Sequence, residues 1–183
     1  MESLEGHLLV ASPQLADPNF AGSLVLLIQH SEEGAFGVVV NRPARKTLQE
    51  LWREVGSAPC HSHQPVYVGG PVPGPLTSLH TRPALAEMEL LPGVFFAAKK
   101  RHLDELVLDE EPSYKIFLNH AGWGAGQLEN ELRQGAWHAM PATAEHIFTT
   151  DEDLWETLFR QVSGSLLKSI LNLKDLPPDP SMN

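Results

Sequence analysis

The 183-residue chain is 42% hydrophobic and 20% charged, a composition that supports a folded core and excludes an intrinsically disordered protein. Its 13 basic and 23 acidic residues leave a net charge of −10, which repels phosphate backbones and anionic membranes and disfavours direct nucleic-acid binding. A single cysteine, Cys60, excludes an internal disulfide; with no basic start to MESLEGHLLVAS and no apolar run near the ~20 residues of a membrane helix, the expected location is the cytoplasm, away from membranes.

The first half of the chain reads as β-structure. HLLVA (His7–Ala11) is a short buried-strand pattern. SLVLLIQH (Ser23–His30) and AFGVVV (Ala35–Val40), separated by SEEG, predict an antiparallel hairpin with Gly34 at a positive-φ position. Both runs are almost continuously apolar, so the hairpin is expected to be buried on both faces. Thr47 followed by Glu50 is a capping-box pattern. Leu48, Leu51, Trp52 and Val55 then recur at helical spacing before Gly56, which predicts an amphipathic helix.

PCHSHQ (Pro59–Gln64) reads as a loop and PVYVGG (Pro65–Gly70) as a strand ending in two glycines. The proline-rich stretch that follows holds one strand pattern, TSLH (Thr77–His80), and GVFFAA (Gly93–Ala98) is another. Lys99, Lys100, Arg101 and His102 form a short basic run, but Asp104 and Glu105 follow at once, which predicts a solvated helix start around Leu103, Leu106 and Val107. YKIFLN (Tyr114–Asn119) reads as a strand, AGWGAG (Ala121–Gly126) as a Gly-rich turn, and the residues from Gln127 to Gln134 as a helix. Thr149 with Glu152 predicts a second capping box, ahead of a helix carrying Leu154, Trp155, Leu158, Phe159 and Val162. Beyond Gly164, SLLKSILN (Ser165–Asn172) predicts a last short helix, and 173–183 reads as a Pro-rich flexible tail. The expected architecture is a single α+β domain over 1–172, with a mixed, curled or barrel-like sheet surrounded by helices.

Several chemistries are absent from the sequence. It holds no G-x-S-x-G elbow, H-E-x-x-H pair, P-loop or paired C-x-x-C. Gly122, Gly124 and Gly126 between a strand and a helix invite a phosphate-cradle reading. Their G-x-G-x-G spacing is not the dinucleotide fingerprint, however, and Glu129 already complements the helix N-terminus. Trp123 then either packs on a neighbouring element or faces a ligand. Cys60, His61 and His63 are a candidate metal cluster lacking a fourth local ligand, and an exposed His loop is the plainer reading, so no metal or other cofactor is expected.

The other polar groups lie just beyond strand ends, where binding groups gather. His30 and His80 each end an apolar strand, and Asn41 and Arg42 follow AFGVVV, with Pro43 fixing the direction of Arg42. Together with Trp123, Glu129 and Glu131 they supply a cation, imidazoles, an amide, an aromatic face and acids. That set suits a small polar or anionic ligand, or acid–base chemistry at a histidine.

Four segments in order carry a family resemblance. They are HLLVASPQLADPNFAGSLVLLIQH, GAFGVVVNRP, VYVGGPV with the later Leu79–His80 pair, and AGWGAGQLENEL, with Trp137 and Leu154–Trp155 further along. In these the chain resembles the YqgE/AlgH family of small bacterial proteins over nearly its whole length. The resemblance implies an α+β fold with a small barrel-like sheet ringed by helices, and members are labelled transcriptional regulators without a settled activity. Asn119–His120 stands where the family commonly has Gly-Tyr, and Ala125 where it often has Pro.

The leading expectation is a cytoplasmic small-ligand-binding or indirectly regulatory protein. Its partner would be an unidentified small molecule or protein, and its site would combine Asn41, Arg42, Gly69, Gly70, His80, Trp123 and Gln127. One alternative is an enzyme using His80 or His30 as acid/base in the same place. Another is a protein–protein interaction module with Trp123 as a surface anchor.

Overall fold

Alternate side chains of the first three strands enter two different cores, and this fixes the layering of the molecule. In β1 (His7–Ala11), β2 (Leu24–Ser31) and β3 (Gly34–Val39), Leu8, Val10, Leu24, Leu26, Ile28 and Val38 face one core. Leu9, Ala11, Val25, Leu27 and Val39 face another, so the predicted hairpin is covered on both sides. The chain is seen here in a computed structural model that describes residues 3–57, 59–108 and 113–174, with side chains described up to residue 167.

The remaining strands and α-helices are β4 (Pro43–Thr47), α1 (Leu48–Val55), β5 (Pro65–Val68), β6 (Thr77–His80), β7 (Met88–Leu91), β8 (Val94–Ala97), α2 (Lys100–Leu106), β9 (Tyr114–Leu118), β10 (Ala121–Gly124), α3 (Gln127–Arg133), β11 (Trp137–Pro141), α4 (Ala144–Phe148) and α5 (Leu154–Lys174). They form one α+β domain with two sheets. The first is antiparallel in the order β10-β3-β2-β1-β11. The second runs β4-β5-β9-β6-β8-β7 and is mixed, because β5 and β9 are parallel.

The sheets face each other across the first core, which joins Tyr67, Leu79 and Phe117 to the β1–β3 residues, and α5 adds Leu158 at its side. Helix α3 covers the outer face of the first sheet through Leu128. Helices α1 and α2 cover the outer face of the second through Leu48, Trp52, Leu103 and Leu106. The result is four layers, helix–sheet–sheet–helix.

The expected barrel-like sheet is therefore corrected to two open sheets. The chain passes between them at two corners. One is Val40–Arg42, between β3 and β4. The other is Asn119–His120, where Asn119 adopts a left-handed φ of 61°. Gly69 stitches the corners together: its carbonyl accepts from Val39 N–H at 2.8 Å and its N–H donates to the Leu118 carbonyl at 2.7 Å. Each ladder ends there instead of closing on the other.

The capping box at Thr47 forms as predicted, with Glu50 reaching back to the Thr47 N–H at 2.8 Å. The one expected at Thr149 does not. Thr149 ends α4, whose own capping box is Thr143 with His146. The two predicted C-terminal helices are one, α5, which runs through Gly164. A mid-helix glycine costs only ~1 kcal/mol relative to alanine, too little to break a 21-residue helix. Of the tail predicted for 173–183, residues 175–183 lie outside the described residues, and 173–174 belong to α5.

The Gly-rich turn also needs correction, because AGWG is a strand. β10 pairs with β3, Ala121 opposite Gly37 and Trp123 opposite Ala35. Ala121 and Trp123 point into the core while Gly122 and Gly124 point out, so the alternate glycines are the period of a strand. The turn proper is Ala125–Gly126, and Gly126 alone of the three glycines has a positive φ, 72°.

Candidate functional site

Four of the seven expected site residues, Asn41, Arg42, Trp123 and Gln127, spend their side chains on contacts within the fold. The Asn41 side chain accepts from Leu24 N–H at 2.8 Å and donates to the Gly22 carbonyl at 2.9 Å. Arg42 donates to the carbonyls of Asn19 and Ala21 and to Ser23 Oγ. Both residues thus hold the loop before β2. Phe20 of the same loop stacks on Trp123, with ring centroids 6.1 Å apart, and lies edge-on to Trp137 at 5.4 Å. Gln127 caps its own helix, accepting from Gly124 N–H at 3.1 Å and donating to Glu131 Oε1 at 3.0 Å. Glu131 Oε2 accepts from both indoles, Trp123 and Trp137, at 2.9 Å each. Trp123 is 5% exposed, which rules out the surface-anchor role.

The glycine pair serves close packing at the corners. A Cβ on Gly69 would lie 2.5 Å from the Asn119 carbonyl oxygen, and one on Gly70 would collide with the His120 carbonyl. His120 itself packs on Phe36, with centroids 5.0 Å apart. His80 stands away from the other six. It pairs with Tyr114 at the start of β9, whereas Gly69 meets Leu118 at its end. Its ring is fully buried, Nδ1 accepts from Arg82 N–H at 3.2 Å, and Nε2 has no partner among the described residues. Burial, then the charges of His102 and Arg82, push its pKa down to about 4. A ring held neutral and away from solvent is poorly placed for proton exchange.

His30 is likewise tied down. Nδ1 accepts from Leu4 N–H at 2.9 Å and Nε2 meets Glu129 Oε1 at 2.8 Å. The Glu129 carboxyl lies below its usual range, through its own backbone N–H first and His30 second. Cys60 is buried while His61 and His63 are exposed. Among the described residues no three His, Cys, Asp or Glu side chains gather at metal-binding spacing.

The chemistry sequence reasoning passed over is at Lys115. This residue is the second of β9, is 6% exposed, and has no ion pair among the described residues. Its ammonium donates to the Val40 carbonyl at 2.9 Å and the Thr149 carbonyl at 3.1 Å, and lies 4.2 Å from the centroid of the Tyr67 ring. The two carbonyls belong to the first sheet corner and to the α4–α5 linker, so Lys115 bolts both to the second sheet. Burial pushes its pKa down to about 8 and that of Tyr67 up from its ordinary value. Lys115 and Tyr67 floor a pocket of about 180 Å³, with Asn41, His146, Asp151 and Glu152 around it. Of the seven expected residues, Asn41 lines this pocket and the others make their contacts elsewhere. His146 uses Nδ1 to accept from Thr143 N–H at 3.3 Å, so its proton sits on Nε2, and burial holds its pKa below the ordinary value.

A model of the family described as AlgH-like matches residues 8–167. The chain belongs to the AlgH-like family. It is 41% identical to a UPF0301 protein of Myxococcus xanthus, over 87% of this chain and 91% of that protein. A UPF0301 protein of Chlorobaculum tepidum is 34% identical, over 94% and 93% of the two chains. Among solved structures, the AlgH protein of Pseudomonas aeruginosa superposes with a TM-score of 0.73 at 32% identity, covering 91% of this chain and 93% of that one. A Corynebacterium diphtheriae protein superposes at 0.68 with 26% identity, over 88% of each chain.

In this AlgH-like chain the long motifs that carry the family resemblance are therefore fold-making. Lys115 lies outside all of them. A signal for it was available, because YKIFL is an apolar strand with one charge, at its second position. A lysine there must either exit at an edge or be buried with partners. Among the described residues no helix is long and apolar enough to cross a membrane.

Proposed function

We propose that this AlgH-like chain is a cytoplasmic small-ligand-binding protein that acts indirectly in regulation, and that its ligand enters the pocket floored by Lys115. The observation that carries the reading is a buried lysine with two carbonyl partners, no ion pair among the described residues, and an open pocket beside it. A structural lysine needs no pocket, and a cation buried without a counter-charge favours an occupant that brings one. The pocket's volume of about 180 Å³ lies below the ~300–1,000 Å³ typical of drug-sized ligands, so the occupant is a small metabolite. A regulatory output through the α4–α5 linker is supported by Thr149, whose carbonyl is held by Lys115 and which lines the same pocket. The net charge of −10 argues for an indirect effect over contact with nucleic acid.

A thermal-shift screen of small polar metabolites, run on the wild type and on Lys115→Met, tests this. A ligand at a hundredfold its Kd adds about 2.7 kcal/mol, or ~5–10 °C in Tm for a chain of this size. The expected hits shift the wild type and leave Lys115→Met unmoved. A screen in which both proteins respond alike, or neither responds, refutes the site.

A further inference from the structure

We infer that the pocket selects a small zwitterion, whose carboxylate reaches Lys115 at the floor and whose cationic group stays beside Asp151 and Glu152 at the mouth. This rests on the Lys115 pocket being the ligand site and adds the chemical class of its occupant.

The depth of the charges carries it. Lys115 and Tyr67 are each 6% exposed, whereas Asp151 and Glu152 are exposed, so the one pocket is cationic at its base and anionic at its rim. Two of the three Lys115 N–H groups are taken by the Val40 and Thr149 carbonyls, and among the described residues the ammonium's other contact is the face of the Tyr67 ring. A carboxylate oxygen is a far stronger partner for that third donor than a π face. His146, with Nδ1 engaged by the Thr143 N–H, has Nε2–H as a second donor at the same wall.

A ligand that is only an anion would carry its charge past Asp151 and Glu152 on a chain of net charge −10. A ligand that is only a cation would end against the Lys115 ammonium. A molecule with both charges, carboxylate inward, meets an opposite charge at each end. The pocket's volume of about 180 Å³ lies below the ~300–1,000 Å³ of drug-sized ligand sites and suits an occupant the size of a small amino acid.

Isothermal titration of the full chain with five probes tests the inference. Glycine, β-alanine and 4-aminobutyrate span the distance between charges, while propionate and propylamine each carry one charge alone. The expected result is that at least one zwitterion binds tenfold or more tighter than both single-charge probes. Lys115→Met should abolish that binding. The paired surface change Asp151→Asn with Glu152→Gln, which leaves the buried residues untouched, should weaken the zwitterion by tenfold or more and leave propionate equal or tighter. Propionate binding as tightly as the zwitterions, and indifferent to the Asp151/Glu152 change, overturns the zwitterion while keeping the pocket as an anion site. Binding by none of the five overturns the inference as well. The pocket reading then stands or falls separately, on whether the metabolite screen yields any hit that Lys115→Met removes.

Discussion

Replacing Lys115 by methionine removes a charge that burial disfavours, so the effect on stability must change with pH in a definite direction. Burial depresses this lysine from 10.5 to about 8. Between those values the unfolded chain holds a proton that the folded chain has released, and stability rises with pH through that window. Below about pH 8 both states are protonated, and the folded state bears the whole cost of the buried charge. Over the ~2.5 pH units between the two values, that cost is ~3 kcal/mol at ~1.4 kcal/mol per pH unit. From about pH 7 to about pH 9.5 the wild type should recover ~2 kcal/mol of it.

Methionine carries no proton and shows no such gain, but it leaves the Val40 and Thr149 carbonyls without their donor, a loss of about 1–3 kcal/mol each. The two effects oppose each other at neutral pH, so the absolute change there is not diagnostic. The slope is. Tyr67, which shares the site, is raised by burial and stays neutral over the range, and His146 is lowered and stays neutral too. Urea unfolding of both proteins followed by tryptophan fluorescence, at about pH 7 and about pH 9.5, should show the wild type gaining ~2 kcal/mol relative to the variant. A difference that does not move with pH, or one that moves the other way, refutes the account of a desolvated lysine.

Glu131→Ala strands two buried indole N–H groups and should destabilise the chain by roughly 2–4 kcal/mol, with Glu131→Gln losing less because an acceptor oxygen remains; chemical denaturation of the two variants reads this directly. Arg42→Ala should raise hydrogen exchange across residues 17–23 while leaving the β1–β2 ladder protected, since Arg42 holds the Asn19 and Ala21 carbonyls. Gly70→Ala should fail to fold or lose several kcal/mol because its φ is positive, 156°, and its Cβ also meets the His120 backbone, whereas Gly126→Ala, with open space but a φ of 72°, should lose only about 1 kcal/mol; thermal melts of the pair show how much a collision adds to a positive φ.

Where one strong periodicity and one local device agreed, the sequence was enough. The β2–β3 hairpin and helix α1 are the clearest cases: continuous apolar runs around SEEG, and Thr47 with Glu50 ahead of a helical stripe. The elements that escaped are short and half-exposed. PARKT of β4 and WHAMP of β11 carry no run of buried residues, and they are strands because a neighbour offers a ladder edge. AGWG misled for a different reason. Glycine at alternate positions looks like a turn when the glycines are counted, and like a strand when the residues between them are.

The same contrast bears on the expected site. Asn41, Arg42 and Trp123 drew attention because polar and aromatic groups stood at strand ends in long motifs. Yet a polar group that reaches backbone carbonyls and amides two elements away is what a corner between two sheets requires. Such a group is already saturated and has little left for a ligand. A functional group should instead be one whose burial the fold does not fully repay. Lys115 fits that description, with two donors used, a ring beside the ammonium, no ion pair among the described residues, and a pocket alongside. The Lys115→Met slope and the five-probe titration examine the two halves of this argument independently. The first asks whether the charge is buried at a cost, and the second whether a ligand relieves it.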